Sequence, residues 1–290
     1  MPWASVWRRL RNEYWPLIKV RQTAVLTLTG LAGYLSTHPP LGRWPAFLAL
    51  AGSLMLAISG STVLNMWFDR DIDAKMTRTA RRPLSSGLTP LHAGLWLGVA
   101  LVAAGLGTAL ALSPLCAALG LAGVFFELGV YTLWLKRRTP WSILWGGLAG
   151  GMPILAGRAV GLGRVDTLGL LLALAVVLWI PTHNLTLNML YADDYRVGGV
   201  PTLPTCYGLA ATRNTIALAS ILGALAMNAA LVSAGASPPV MVVLVALSAG
   251  LLGLAAAAWR LATGRWIAGL YRYASIYMIS CMLLLAVGAR

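Results

Sequence analysis

Three oxygen-bearing side chains, Asn65, Asp69 and Asp73, stand four residues apart in the stretch LNMWFDRDIDAKMTRTARRPLSSG, Leu64 to Gly87. That stretch carries three of the chain's eight acidic residues and five of its basic ones. On a helix, a spacing of four drifts only ~40° per step, so the three share one face and Asp71 points roughly the opposite way. A face of oxygens suits a hard divalent cation such as Mg²⁺, which binds through one or two carboxylates with substrate phosphates and water completing its shell. An acidic run beside a basic run at a helix end is also what an ordinary solvated loop looks like. Spacing alone leaves both readings open.

A second stretch, LWIPTHNLTLNMLYADDYRVGGVPTLPTCYG from Leu178 to Gly208, holds the chain's one adjacent acidic pair, Asp193 and Asp194. His183 precedes Asp194 by eleven residues. On one continuous helix the two would lie within ~20° of each other and ~16 Å apart in depth. Thr182, His183, Asn184, Thr186 and Asn188 form a polar patch, which in lipid is costly unless it faces a cavity or a partner. Pro181 offers a kink that would open such a cavity, with Asn184 and Asn188 lining it beside His183, and interhelical hydrogen bonds are the alternative. His183 itself can be a structural donor, a ligand or a base. Isolated Glu127 reads as a structural acid and stays outside the site.

The elements that must position these groups are membrane helices. The chain is 59% hydrophobic and 10% charged, which excludes an ordinary soluble domain. Apolar segments at 16–36, 45–68, 89–111, 115–135, 141–158, 167–192, 211–234, 238–260 and 269–288 approach or exceed the ~20 residues that span a bilayer. Nine crossings place eighteen of the 22 Lys and Arg residues on the N-terminal side, against Arg43, Arg158, Arg164 and Arg290 on the other. The positive-inside rule then puts the N-terminus and the charged loops in the cytoplasm. The net charge of +14 is accounted for by topology, so nucleic acid is not expected as a partner. Arg8, Arg9 and Arg11 precede a run too long for a signal peptide, read here as a retained first helix. Cys116, Cys206 and Cys281 are isolated and make neither a disulfide framework nor a zinc site. The expected architecture is all-α, about nine transmembrane helices around a central cavity, in one domain over residues 1–290. A transporter is the rival class, but its polar groups belong at the midplane, whereas these acidic residues gather at one face.

The wording N-x-x-x-D-R-D-I-D-A-x-M-x-R-T-x-x-R-P-L at 65–84 resembles the first aspartate-rich motif of the UbiA superfamily of intramembrane prenyltransferases. LIKVR at 17–21, YTLWLKRRTP at 131–140, GGLAGGMP at 146–153, DYRVGGVPTLP at 194–204 and RYASIYM at 272–278 extend the likeness over nearly the whole chain, and it is greatest to the haem-farnesylating branch. The resemblance implies a helical bundle in a prokaryotic cell membrane whose two acidic loops, on the cytoplasmic side, bind Mg²⁺ and the diphosphate of a prenyl donor. It implies Asn65, Asp69, Asp73, Asp193 and Asp194 as the metal set, Asp69, Asp73, Asp194 and His183 as the catalytic groups, and Arg21, Lys75, Arg78, Arg82 and Lys136 as diphosphate donors. Leu190 stands where many superfamily members have a second Asp, as in the haem branch. HNLTLN at 183–188 departs from that branch's H-F-W-A-L-A, and Gly157-Arg158 from its Gly-Trp. The acceptor expected is haem b, with a smaller aromatic such as 4-hydroxybenzoate left open.

Overall fold

A computed structural model describes residue 7 and residues 10–288; Arg8, Arg9 and Arg290, used above for topology, lie outside the described residues. The helices are α1 (Val20–Leu35), α2 (Trp44–Asp73), α3 (Leu91–Leu112), α4 (Pro114–Leu135), α5 (Ser142–Leu162), α6 (Thr167–Leu190), α7 (Ala192–Val197), α8 (Leu203–Ser233), α9 (Pro238–Leu261) and α10 (Gly264–Gly288). Eight of them, all but α1 and α7, are long and apolar enough to cross a membrane. The first expected span is divided instead. Trp15–Ile18 is a 3-10 turn and Lys19 adopts a left-handed conformation (φ 42°), which leaves α1 with 16 residues. At 1.5 Å per residue that is ~24 Å, short of the ~30 Å hydrocarbon core.

Local chemistry sets several helix starts. Ser113 caps α4 by accepting from the Cys116 amide at 3.0 Å, with Pro114 at the first helical position, where its missing N–H costs nothing. Thr202 and Thr205 form a reciprocal capping box at the start of α8. The end of α6 differs from expectation: Tyr191 leaves helical geometry (φ −121°, ψ 31°), and α7 begins anew at Ala192. His183 and Asp194 therefore do not ride one continuous helix, and the expected eleven-residue stripe does not form.

Small residues let the helices approach closely, as packing in lipid requires when burial of apolar surface gives no advantage over lipid contact. A β-carbon on Gly60 of α2 would lie 2.7 Å from the Gly98 carbonyl of α3, and one on Gly33 of α1 would lie 2.5 Å from the Ile154 carbonyl of α5. Gly157 meets the Gly30 carbonyl in the same α1–α5 crossing. The largest buried cluster lies among α5, α6, α8, α9 and α10, around Leu172, Met227, Tyr277 and Met278. At the end of α1 away from Lys19, buried Arg158 bonds Asp166 at 2.8 and 2.6 Å and Ser36 Oγ at 2.6 Å, while Asp166 also caps α6 through the Gly169 amide. The Arg158 guanidinium holds the Asp166 carboxyl below its usual range. Arg158, where this chain departs from the Gly-Trp of the haem-farnesylating branch, is thus engaged in joining α1, α5 and α6.

Candidate active site

The helical face read from spacing is real. Asn65, Asp69 and Asp73 are 4%, 1% and 4% exposed along the last turns of α2. Asp71 is half exposed on the other side, where it accepts two bonds from Arg137 at 2.8 and 2.7 Å. Three buried oxygen-bearing groups are not a solvated loop.

Each group on that face meets one cation, and each cation comes from a different segment. Lys19 Nζ donates to Asn65 Oδ1 at 3.4 Å, Lys136 pairs with Asp69 Oδ2, and Arg82 Nη1 bonds Asp73 Oδ2 at 2.6 Å. The left-handed turn at Lys19 breaks the chain just before α1, so this side chain lies beside α2. Lys136 follows the second half of α4, Phe125–Leu135, which is wound as a π-helix, a geometry common at functional sites. Lys136 also sits 5.4 Å from the centre of the Tyr131 ring. Asp69 Oδ1 is buried and has no hydrogen-bond partner among the described residues. An orphaned carboxylate oxygen, next to Asn65 and Asp73, fits a divalent cation that would supply its partner. Among the described residues no three His, Cys, Asp or Glu side chains converge, so such an ion would depend on Asn65, two carboxylates and substrate oxygens.

The second acidic loop reaches the first through Asp194, whose two oxygens accept the backbone amides of Thr77 at 3.2 Å and Arg78 at 3.0 Å. The Arg78 amide in particular holds the Asp194 carboxyl below its usual range. Ile72, Met76 and Val200 pack together beneath, with Tyr195 against them. The Arg78 guanidinium lies 5.1 Å over the Tyr191 ring and 3.5 Å from Tyr195 Oη. Asp194 thus orders the loop that carries Arg78 and does not join the Asp69–Asp73 face. Asp193 does not join it either: its side chain is 92% exposed and pairs with Arg196 at 2.5 Å. Arg21 and Lys75 are exposed.

Helix α6 divides its polar patch between two tasks. Asn184 and Asn188 line a pocket with Tyr131, Lys136, Tyr195 and Thr202, so it opens beside the cation that holds Asp69. Thr182 bonds Ser220 of α8 at 3.0 Å, as the interhelical alternative anticipated, whereas Thr186 bonds carbonyls of its own helix. His183 is outside that lining. Its ring stacks between Trp179 at 5.1 Å and Tyr271 at 4.5 Å, with Nδ1 3.4 Å from Ser275 Oγ. Lys19, Tyr131 and Thr132 were not singled out by spacing; the motif-bearing segments LIKVR and YTLWLKRRTP were the available signal.

Residues 25–286 match the UbiA prenyltransferase family. The chain is similar to the protoheme IX farnesyltransferase of Thermofilum pendens, 43% identical over 193 residues, 66% of this chain and 68% of that protein. It is similar also to the protoheme IX farnesyltransferase of Rhizorhabdus wittichii, 41% identical over 226 residues, 75% of this chain and 71% of that one. The structure of a UbiA homolog from Archaeoglobus fulgidus bound to DMAPP and Mg²⁺ shares the fold, with a TM-score of 0.69 over 95% of this chain and 99% of that chain at 14% identity. With one family matched almost end to end and its fold reproduced, this multi-pass membrane protein belongs to the UbiA prenyltransferase family and is a prenyltransferase.

Proposed function

We propose that the chain transfers a farnesyl group from farnesyl diphosphate to haem b, giving haem O, with Mg²⁺ as its metal. The observation that carries the donor half is the buried Asn65–Asp69–Asp73 face with its orphaned Asp69 oxygen and its three attendant cations. The acceptor half is supported by protoheme IX farnesyltransferases at 41–43% identity.

Asn65, Asp69 and Asp73 would hold Mg²⁺, which when bound beside a diphosphate neutralises the charge of the leaving group. The chain's own residues do the rest. As the allylic C–O bond breaks, negative charge gathers on the diphosphate oxygens. Lys19, Lys136 and Arg82 already lie against the oxygens of the metal face, so their N–H groups are placed to take up that charge. Arg78, on the loop that Asp194 orders, would stand with exposed Arg21 and Lys75 as a rim donor. The Tyr131 ring, which meets the Lys136 ammonium on one face, also lines the adjoining pocket, where its π electrons would favour an allylic cation. The apolar bundle keeps water from that cation before the acceptor arrives. At the acceptor, a vinyl carbon of haem b forms the new C–C bond, water adds to the neighbouring carbon and a proton leaves. Asn184 and Asn188 line the approach, and His183 belongs to the acceptor side through the helix they share. Residues 1–290 act as one membrane-embedded domain, in a prokaryotic cell membrane with lipid around it and the site on the cytoplasmic side.

A ring acceptor such as 4-hydroxybenzoate is the second reading, favoured by the amides of Asn184 and Asn188 and the hydroxyl of Thr202 in one small pocket. Offering haem b and 4-hydroxybenzoate together, with farnesyl or geranylgeranyl diphosphate, and weighing the products by mass spectrometry decides between them. A farnesyl-haem adduct is expected; prenylated 4-hydroxybenzoate alone would overturn the haem assignment.

A further inference from the structure

We infer that Thr132 is a positioning residue for the donor site, fixing the Asn65 amide so that its oxygen, and not its nitrogen, faces the cation side. The inference rests on the reading of Asn65 as a metal ligand.

The argument starts from one hydrogen atom. Thr132 is 3% exposed, and its hydroxyl donates to the Glu127 carbonyl at 2.7 Å. That carbonyl is five residues back. A threonine on an α-helix reaches back three or four residues, and the π winding of this half of α4 is what brings the fifth into range. A hydroxyl has a single proton to give. With it committed to Glu127, Thr132 Oγ1 can only accept, and the group 2.9 Å away must be the NH₂ of Asn65.

The other end of the amide meets a neighbour of the opposite character. Lys19 Nζ, which can only donate, lies 3.4 Å from Asn65 Oδ1. An acceptor on one side and a donor on the other dictate the same orientation. A reversed amide would set two acceptors against each other and two donors against each other, at a site where no water-rich surface relieves the mismatch. The oxygen thus faces the direction in which this structure already seats a positive charge, the direction a metal ligand needs.

The register of two helices holds the arrangement. Asn65 meets Thr132 and Asp69 meets Lys136, each pair separated by 67 residues. The two contacts are one helical turn apart on α2 and four residues apart between Thr132 on the π segment and Lys136 just after it, so α2 and α4 run parallel here and their groups face each other as successive rungs. Arg137 on Asp71 pins the same segment from outside.

The test measures metal binding rather than turnover. Mn²⁺ binding is followed by electron paramagnetic resonance of the free ion, on detergent-purified full chain with a farnesyl thiolodiphosphate analogue that does not ionise. Thr132→Val is expected to weaken Mn²⁺ binding by roughly ten- to a hundredfold, the range for an outer group that orients a ligand. Thr132→Ser, which keeps the hydroxyl, should bind close to the parent. In an Asn65→Asp background both side-chain atoms are oxygens and no orientation is required, so adding Thr132→Val should weaken binding no further, an asymmetry that a merely structural role would not produce. Thr132→Ala replaces Thr132→Val if the latter does not purify folded. Should Asn65→Ala leave Mn²⁺ binding intact, the reading of Asn65 as a ligand fails. If Asn65→Ala weakens binding but Thr132→Val and Thr132→Ala do not, Thr132 is no positioning residue while the metal reading stands.

Discussion

Lys136 and Asp69 show what a single pair can decide. The Asp69 side chain is 2% exposed and that of Lys136 15%, so either charge alone would be buried without its counterpart. Lys136→Met is expected to lower stability by about 3–5 kcal/mol, and Asp69→Asn in the same background to recover most of that loss. Thermal unfolding in detergent measures both. Asp69→Asn by itself should cut prenyl transfer by at least ~10²-fold, assayed as product per minute, while the protein still inserts and purifies. Sequence made the Asn65–Asp69–Asp73 face legible because a helix repeats every 3.6 residues and all three groups lie on one helix. It could not show which cation meets which oxygen. Lys19, Arg82 and Lys136 come from three segments far apart in the chain, and only tertiary contact brings them together. Asp193 and Asp194 were both expected to hold metal, and adjacency in sequence says nothing about which of two neighbouring carboxylates turns toward the backbone amides of another loop, as Asp194 does here.

Helix ends and crossings carry the next layer of prediction. Asp166 caps α6 and binds Arg158, and its carboxyl ionises below the usual range because of that guanidinium. A depressed carboxyl pKa contributes stability that is fully present above the unfolded value of about 4 and is lost as pH falls through the folded value. Melting temperature against pH should therefore drop more steeply below about pH 4 in the parent than in Asp166→Asn, which lacks this contribution throughout. At the α1–α5 crossing, a β-carbon on Gly157 runs into the Gly30 carbonyl, so Gly157→Ala should cost about 1–3 kcal/mol by forcing the helices apart, read from the same unfolding experiment. Helices were legible from apolar runs; their interruptions were not. Nothing in the residue types at Lys19 or Tyr191 marks a break, and π winding over Phe125–Leu135 has no residue signature at all. The stripe expected between His183 and Asp194 failed for that reason.

Across the whole molecule, the proposed donor site and the proposed acceptor approach draw on different helices and share Lys136 at their border, with Tyr131 beside it. Chelation with EDTA should abolish transfer and added Mg²⁺ restore it, a loss and recovery that product mass spectrometry follows directly. His183 ties α6 to α10 through its stack on Tyr271, with Trp179 of its own helix also stacked on it, away from the pocket lining. His183→Ala is expected to raise the KM for the acceptor while leaving donor binding near the parent value; equal loss of both would mark the stack as purely architectural.

The constant offset between α2 and α4 has a consequence for length. Two parallel rows of groups stay in phase only if each segment keeps its residue count, so removal of any one residue between Val124 and Thr132 would rotate everything after it by about a quarter turn. Thr132 would then leave Asn65 and Lys136 would leave Asp69 in the same step, though no functional side chain had been altered. A deletion scan across α4 should find transfer lost at every position in that interval, and a compensating insertion before Thr132 should bring it back. The catalytic alphabet here is written partly in residue types and partly in the arithmetic of spacing.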